Sequence, residues 1–366
     1  MRPGPAARWI APSTPPPPAS AELAAFTIAP AATRVISPSC KTIFRPVALI
    51  HSIPIYYNLS MTRRELLAAG AVCASSLWAR GRMDKTRISA ITDEIGTTTG
   101  ESIEFAHQYG LSFVEIRNPP GSKKEYFTLT EPEIKIDAMR FASEGLKVSF
   151  VNTSLLKFTW PDTEPARKRQ EEPAAREKRL AAEKARWDRR MEDLHNAIRC
   201  AQIMGCDKVR VFTGTRTAEP AALYPRIAEA IGAMAQTAEK EKVYLLIENE
   251  GSQNVATSAE LADIFKLIPT RWVGMNWDPH NAYGRETSYP DGYSLLPKKR
   301  ILNVQVKAKG VMPGSPEKED WRGIMTSLDK DGYKGRIGLE THIFDGTLIA
   351  AAHQSMDEIM RIVAEV

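Results

Sequence analysis

The sequence predicts an α/β protein: a single closed (β/α)8 barrel, a TIM barrel, behind an N-terminal segment of different character. Three observations lead there. Eight short apolar runs alternate with stretches of helical pattern, the order expected of a parallel sheet covered by helices. No Gly-x-Gly-x-x-Gly follows the first run, which argues against an open dinucleotide-binding sheet. The clearest run, Val243-Tyr244-Leu245-Leu246-Ile247-Glu248, ends on a carboxylate, and later runs end in the same way. Such barrels carry their chemistry at the C-terminal ends of the strands.

The 366 residues are 43% hydrophobic and 25% charged, enough for a large core. Residues 1–60 hold eleven of the 25 prolines and no sustained period, so they read as a disordered or mis-assigned extension. Residues 61–82 open on Met61-Thr62-Arg63-Arg64, and a mildly apolar stretch follows to Ala79. That is the pattern of a twin-arginine signal, and it predicts a periplasmic or secreted protein; a helix that merely starts with two arginines, in a cytoplasmic protein, is the alternative. The barrel is expected over 83–366. A mature chain from near Arg80 would have about 285 residues, the usual size of one barrel.

The eight strands are expected at 87–93, 112–117, 147–152, 208–213, 243–248, 272–277, 301–307 and 336–340. Helices are expected at 100–109, 131–145, 220–241, 257–267, 319–331 and 347–365, with start and stop signals such as Thr130 before Glu131-Pro132 and Gly145 after Glu144. A long charged helical stretch fills 165–204, where interleaved acids and bases read as a solvated face. Tyr283, Arg285, Tyr289 and Tyr293 mark 281–300 as a lid over the barrel mouth or a surface excursion, with the lid favoured. The net charge of +5 is too modest to point to a nucleic-acid partner. Four scattered cysteines show neither zinc spacing nor a disulfide framework. No run approaches the roughly 18 apolar residues of a stable membrane span.

The last four strands present Glu248, Asp278, Gln305 and Glu340 at or near their C-terminal ends. Neighbouring strands lie about 4.8 Å apart, so these side chains can converge. Three carboxylates at one point repel and call for a cation. Oxygen donors suit Mn²⁺, Mg²⁺ or Co²⁺, with Mn²⁺ expected here.

The chain resembles the sugar phosphate isomerase/epimerase family of xylose isomerase-like TIM barrels. The resemblance rests on Ile91-Thr92-Asp93-Glu94, Val114-Glu115-Ile116-Arg117, Val209-Arg210-Val211-Phe212, Leu246-Ile247-Glu248-Asn249, Trp277-Asp278-Pro279-His280-Asn281, Val304-Gln305-Val306-Lys307 and Gly338-Leu339-Glu340-Thr341-His342. It implies that Glu248, Asp278, Gln305 and Glu340 hold one divalent metal, and that Glu248 and Glu340 exchange protons with a carbon next to a carbonyl. Gln305 stands where the family has His; an amide oxygen coordinates more weakly.

Glu94, Arg117, Lys157, Arg210, Arg216, His280, Lys307 and His342 sit at or just past strand ends, as candidate binders of sugar hydroxyls or a carboxylate. His107, His195 and His353 fall on helices and read as packing residues; Trp160 and Trp277 could stack on a sugar. The expected activity is a metal-dependent isomerisation or epimerisation of a ketose or keto-sugar through an enediolate. Elimination from a 3-keto-glycoside is the alternative enzyme, and a metal-free carbohydrate-binding barrel the non-enzymatic one. A DNA-repair endonuclease of this superfamily would need a histidine-rich zinc cluster, and only six histidines are present. The partner is therefore a small carbohydrate, with a homo-oligomer also open.

Overall fold

The computed structural model describes residues 83–167 and 170–366; the expectations for 1–60 and 61–82 lie outside these. Among the described residues, eight strands form one parallel sheet. They are β1 (Ile88–Ala90), β2 (Phe113–Ile116), β3 (Lys147–Val151), β4 (Lys208–Val211), β5 (Tyr244–Glu248), β6 (Val273–Trp277), β7 (Ile301–Lys307) and β8 (Arg336–Glu340). The order β1-β8-β7-β6-β5-β4-β3-β2 curls the sheet into a nearly closed TIM barrel, and one parallel bridge, Ile91 to Glu115, joins its two ends. Every expected strand is present, each trimmed by zero to four residues.

The helices fall where the apolar period places them: α1 (Thr99–Gln108), α2 (Glu131–Ser143), α3 (Pro173–Ile203), α4 (Tyr224–Lys240), α5 (Ser258–Leu267), α6 (Trp321–Lys330) and α7 (Leu348–Glu365). In α4 the stripe Ile227, Ile231, Met234 and Ala238 is fully buried, at the spacing of one helical face. Thr257 and Glu260 cap α5 reciprocally: Glu260 N donates to Thr257 Oγ1, and Thr257 N donates to Glu260 Oε2. The charged stretch 165–204 becomes helical only at Pro173, a residue suited to a first helical turn.

The connection from β6 to β7 carries only short turns. Two of its three tyrosines are held away from the mouth. Tyr289 Oη pairs with Ser327 Oγ at 2.9 Å and Tyr293 Oη donates to Asp331 at 2.8 Å, which ties both rings to α6 and its C-terminal turn. Tyr293 also packs on Trp277, with ring centroids 5.4 Å apart, while Tyr283 stacks on His280 and Arg285 borders the cavity beside the mouth, so the segment is split between the outer layer and the rim.

Strand alternation divides the barrel wall. Val304 and Val306 of β7 pack in the core beneath the helices, while Asn303, Gln305 and Lys307 face the lumen. The lumen is polar at its centre. Glu115, fully buried, accepts hydrogen bonds from Ser89, Asn152, Asn303 and Gln305 at 2.7–3.1 Å. Gly338 of β8 makes room for it: a Cβ there would lie 2.1 Å from Glu115 Oε1. Four donors fix that carboxylate, so it cannot swing aside. Gly338→Ala is expected to cost about 1–3 kcal/mol by overpacking. Urea unfolding measures it, and an unchanged midpoint would show that Glu115 is not held.

Candidate active site

The C-terminal mouth gathers side chains from the ends of seven strands, all but β3. Glu248 (β5), Asp278 (one residue past β6) and Glu340 (β8) are all buried, and each offers one carboxylate oxygen within 4.8 Å of the other two. Glu94, Glu340 and His342 form a second such group. Both groups could hold a metal ion.

The local chain positions each acid. Asn249 clamps the 277–281 segment to the end of β5: its Nδ2 donates to Asp278 O at 2.7 Å, and Asp278 N donates back to its Oδ1 at 3.0 Å. Asn281 N then donates to Asp278 Oδ1 at 3.0 Å. Glu248 Oε2 accepts from Arg210 Nη1 at 2.9 Å and from Asn276 Nδ2 at 2.6 Å. Asn276 and Glu115 share the amide of Asn303, so a chain of hydrogen bonds runs from the deep carboxyl to the mouth.

Cations already lie among these acids. Lys307 Nζ is 2.8 Å from Glu340 Oε2 and 3.2 Å from Asp278 Oδ2. Arg117 contacts Asp93 and Glu94 at 2.8 Å each and Glu340 at 3.6 Å. Register explains the choice of Lys307. It pairs with Glu340 across the β7–β8 ladder, whereas Gln305 pairs with Gly338 one pleat lower. From there the Gln305 amide donates to Glu115 Oε2 at 2.7 Å, and its Oε1 is buried without a hydrogen-bond partner.

The expected four-ligand divalent site is therefore not assembled as a set of four. Glu248, Asp278 and Glu340 could hold an ion, but an ammonium contacts two of them, and Gln305 lies one pleat lower with its amide N–H on Glu115 and its Oε1 unpartnered.

Electrostatics separate the two glutamates. Burial pushes the Glu248 carboxyl up to about 7, opposed by Arg210 and reinforced by Glu340. Burial also acts on Glu340, but Lys307, Arg210 and Arg117 outweigh it and hold that carboxyl well below the usual range. Burial works against the Lys307 charge, yet Asp278, Glu340 and Glu248 overcome it and hold the ammonium above the ordinary lysine range. Lys307 is thus a standing cation rather than a free amine. Burial and the nearby cations lower His342 to about 4, which leaves a neutral imidazole 3.7 Å from Glu340 at neutral pH. His342 sits at φ +52°, a strained left-handed conformation, while its backbone N donates to Glu94 at 2.8 Å.

Of the residues singled out from sequence, Glu94, Arg117, Arg210, Glu248, Asp278, Lys307, Glu340 and His342 come together at the mouth. Lys157 pairs with Glu250 at the rim. Arg216 is taken up by Glu260 at 2.7 Å and by backbone carbonyls of 253 and 254. His280 faces Glu317 at 3.3 Å and Glu319 at 3.8 Å. Trp277 donates to Ser258 in the outer layer, and Trp160 packs on Trp187, so neither ring lines the mouth. His107, His195 and His353 bond within the helical shell. Glu115, Asn276 and Asn303 escaped the sequence reading; their signal was a polar residue at every second position of otherwise apolar strands. Beside the mouth a cavity of about 960 Å³ opens between 165–167 and the loops after β4 and β5.

A parallel barrel with buried, opposed carboxyls at its C-terminal mouth defines an enzyme-like class of protein. The family model for the xylose isomerase-like TIM barrel matches residues 103–363, and the chain belongs to that family. No match is found among curated proteins. Similar solved structures include the IolI protein with a bound zinc atom (13% identity, 76% of this chain and 98% of that one, TM-score 0.58). A xylose isomerase-like TIM barrel protein from Mycobacterium smegmatis in complex with magnesium is 15% identical (78% and 98%, TM-score 0.56). The 3-keto-D-glucoside 4-epimerase YcjR from E. coli is 12% identical (76% and 100%, TM-score 0.56). At these identities the likeness concerns the fold.

Proposed function

We propose that this chain is a sugar isomerase or epimerase that moves a proton next to a carbonyl on a ketose or keto-sugar. The observation that carries the reading is the pair Glu248 and Glu340: two buried carboxyls at one barrel mouth whose surroundings drive their proton affinities apart. In this reading Glu340, ionised, takes the proton from the carbon beside the carbonyl. The C–H electron pair becomes the enediolate double bond, and the carbonyl pair moves onto its oxygen. Glu248, protonated, returns a proton to the other face for epimerisation, or to the former carbonyl carbon for isomerisation, in which case the proton of the adjacent hydroxyl passes to the former carbonyl oxygen as the new carbonyl forms. The two carboxyls end with exchanged protonation, and solvent resets them.

Sugar epimerases among similar folds support the substrate class, and an export signal at 61–79 would favour a free keto-sugar over a phosphorylated one. The Mn²⁺, Mg²⁺ or Co²⁺ expected from the resemblance enters no step here. A second reading, elimination from a 3-keto-glycoside, draws support from the cavity beside the mouth, which is of a size to take an aglycone. Incubation in D₂O with ketoses and 3-keto-glycosides separates the two. Deuterium gain without leaving-group release indicates isomerase chemistry, and aglycone release indicates the lyase. No exchange with any compound would overturn both.

The pH dependence follows from the pair. Turnover in either direction needs one proton shared between the two carboxyls. That state is populated below the Glu248 value of about 7 and is lost above it. Net conversion is expected to fall about tenfold per pH unit above that point. A kcat/KM profile that stays flat from mildly acid to mildly alkaline pH would contradict the assignment.

A further inference from the structure

We propose that the Lys307 ammonium is the resident cation of this site, standing among the carboxylates that the family resemblance assigns to a divalent metal, so that the acidic mouth works without one. The inference rests on the proton-transfer reading for its chemistry, but its geometry is independent of substrate. Lys307 Nζ lies within 3.2 Å of both Asp278 and Glu340. A divalent ion sharing those carboxylates would need the same space, and a buried cation beside it would be repelled. The second acidic group is bridged in the same manner, by Arg117 between Glu94 and Glu340. Arg210 neutralises the remaining side, on Glu248.

The strand that would supply the fourth donor also turns amides toward another acid, although Gln305 Oε1 itself is buried without a partner. Gln305 spends its amide N–H on Glu115, and Asn303 of the same strand supports that carboxylate. Along β7 the lumen therefore reads Asn303, Gln305, Lys307: two amides serving a buried acid, then a cation at the mouth.

Chemically, an ammonium offers three N–H donors. The contacts to Glu340 and Asp278 engage at most two, which leaves one for the oxygen of a carbonyl becoming an enediolate. A fixed N–H donor at that oxygen stabilises the developing negative charge.

The test is metal binding, read without activity. The purified full chain is stripped with chelator, dialysed against Mn²⁺, Mg²⁺ or Zn²⁺, and analysed for bound metal and for thermal shift. The wild type is expected to retain well under one ion per chain and to show no Mn²⁺-dependent rise in Tm. One tightly held ion per chain, lost in Glu340→Gln, would overturn the proposal. Lys307→Met, and Lys307→Ala as a second variant, should gain Mn²⁺ binding at least about tenfold tighter than wild type, with a rise in Tm on addition of the ion. Folded variants that gain none would also overturn it, because the ammonium would then not be holding a cation's place. If no sugar exchanges deuterium but these metal results hold, the function proposal fails and this one stands.

Discussion

Glu340→Gln is expected to lower deuterium exchange into substrate by roughly 10²–10⁴-fold, the usual worth of one positioned acid or base. The substitution is nearly isosteric, so the fold should persist while the base is lost. Glu340 is suited to that role because Lys307, Arg117 and Arg210 surround it and keep it ionised, ready to accept. Glu248→Gln should lose net conversion to a similar degree for the opposite reason: an amide cannot carry the proton that burial keeps on Glu248 near neutrality. Rates measured by NMR on the substrate that exchanges with wild type decide the matter. Either variant retaining full activity would remove that glutamate from the chemistry.

The larger effect on stability is expected from Lys307→Met. Removing one member of a buried ion cluster typically costs about 3–5 kcal/mol, because the remaining charges stay buried without compensation. Here Asp278 and Glu340 would face one another across an apolar side chain, with Glu248 close by. Both acids would answer by taking up protons, so the loss should be greatest at alkaline pH and smaller under acid conditions. Urea unfolding across that range measures it. A cost below about 1 kcal/mol would mean that the carboxylates are already solvated or protonated, and that Lys307 is not the cation balancing them.

Much of this was legible in the sequence. Strands buried on both faces are written as short apolar runs, which is why all eight could be placed within a few residues. Acids at strand ends are equally plain, so Glu248, Asp278 and Glu340 were brought to one mouth by counting strands. What the chain does not spell out is the height of each residue around the barrel. Gln305 and Lys307 are both lumenal and two apart; only the β7–β8 register shows that Lys307 is level with Glu340. Partners distant in sequence were equally hidden. Arg216 finds Glu260 and His280 finds Glu317 and Glu319, so one candidate substrate binder is held in an ion pair and another faces two carboxylates outside the mouth cluster. Glu115 looked like one more letter in an apolar strand, yet its acceptors organise the centre of the lumen.

That buried acid has a mechanical consequence. Two joints of the cylinder are thin: β3 meets β4 through one register pair, and at the closing seam β1 meets β2 through a single bridge. Glu115 sits on that seam and reaches inward to Ser89 on one flank, Asn152 on the other and β7 across the interior. It acts as a rivet, drawing the two loose edges onto the stave that presents Lys307. The wall is thus kept shut from within by a group that takes no part in the chemistry, and loosening that rivet would slacken the grip on the mouth.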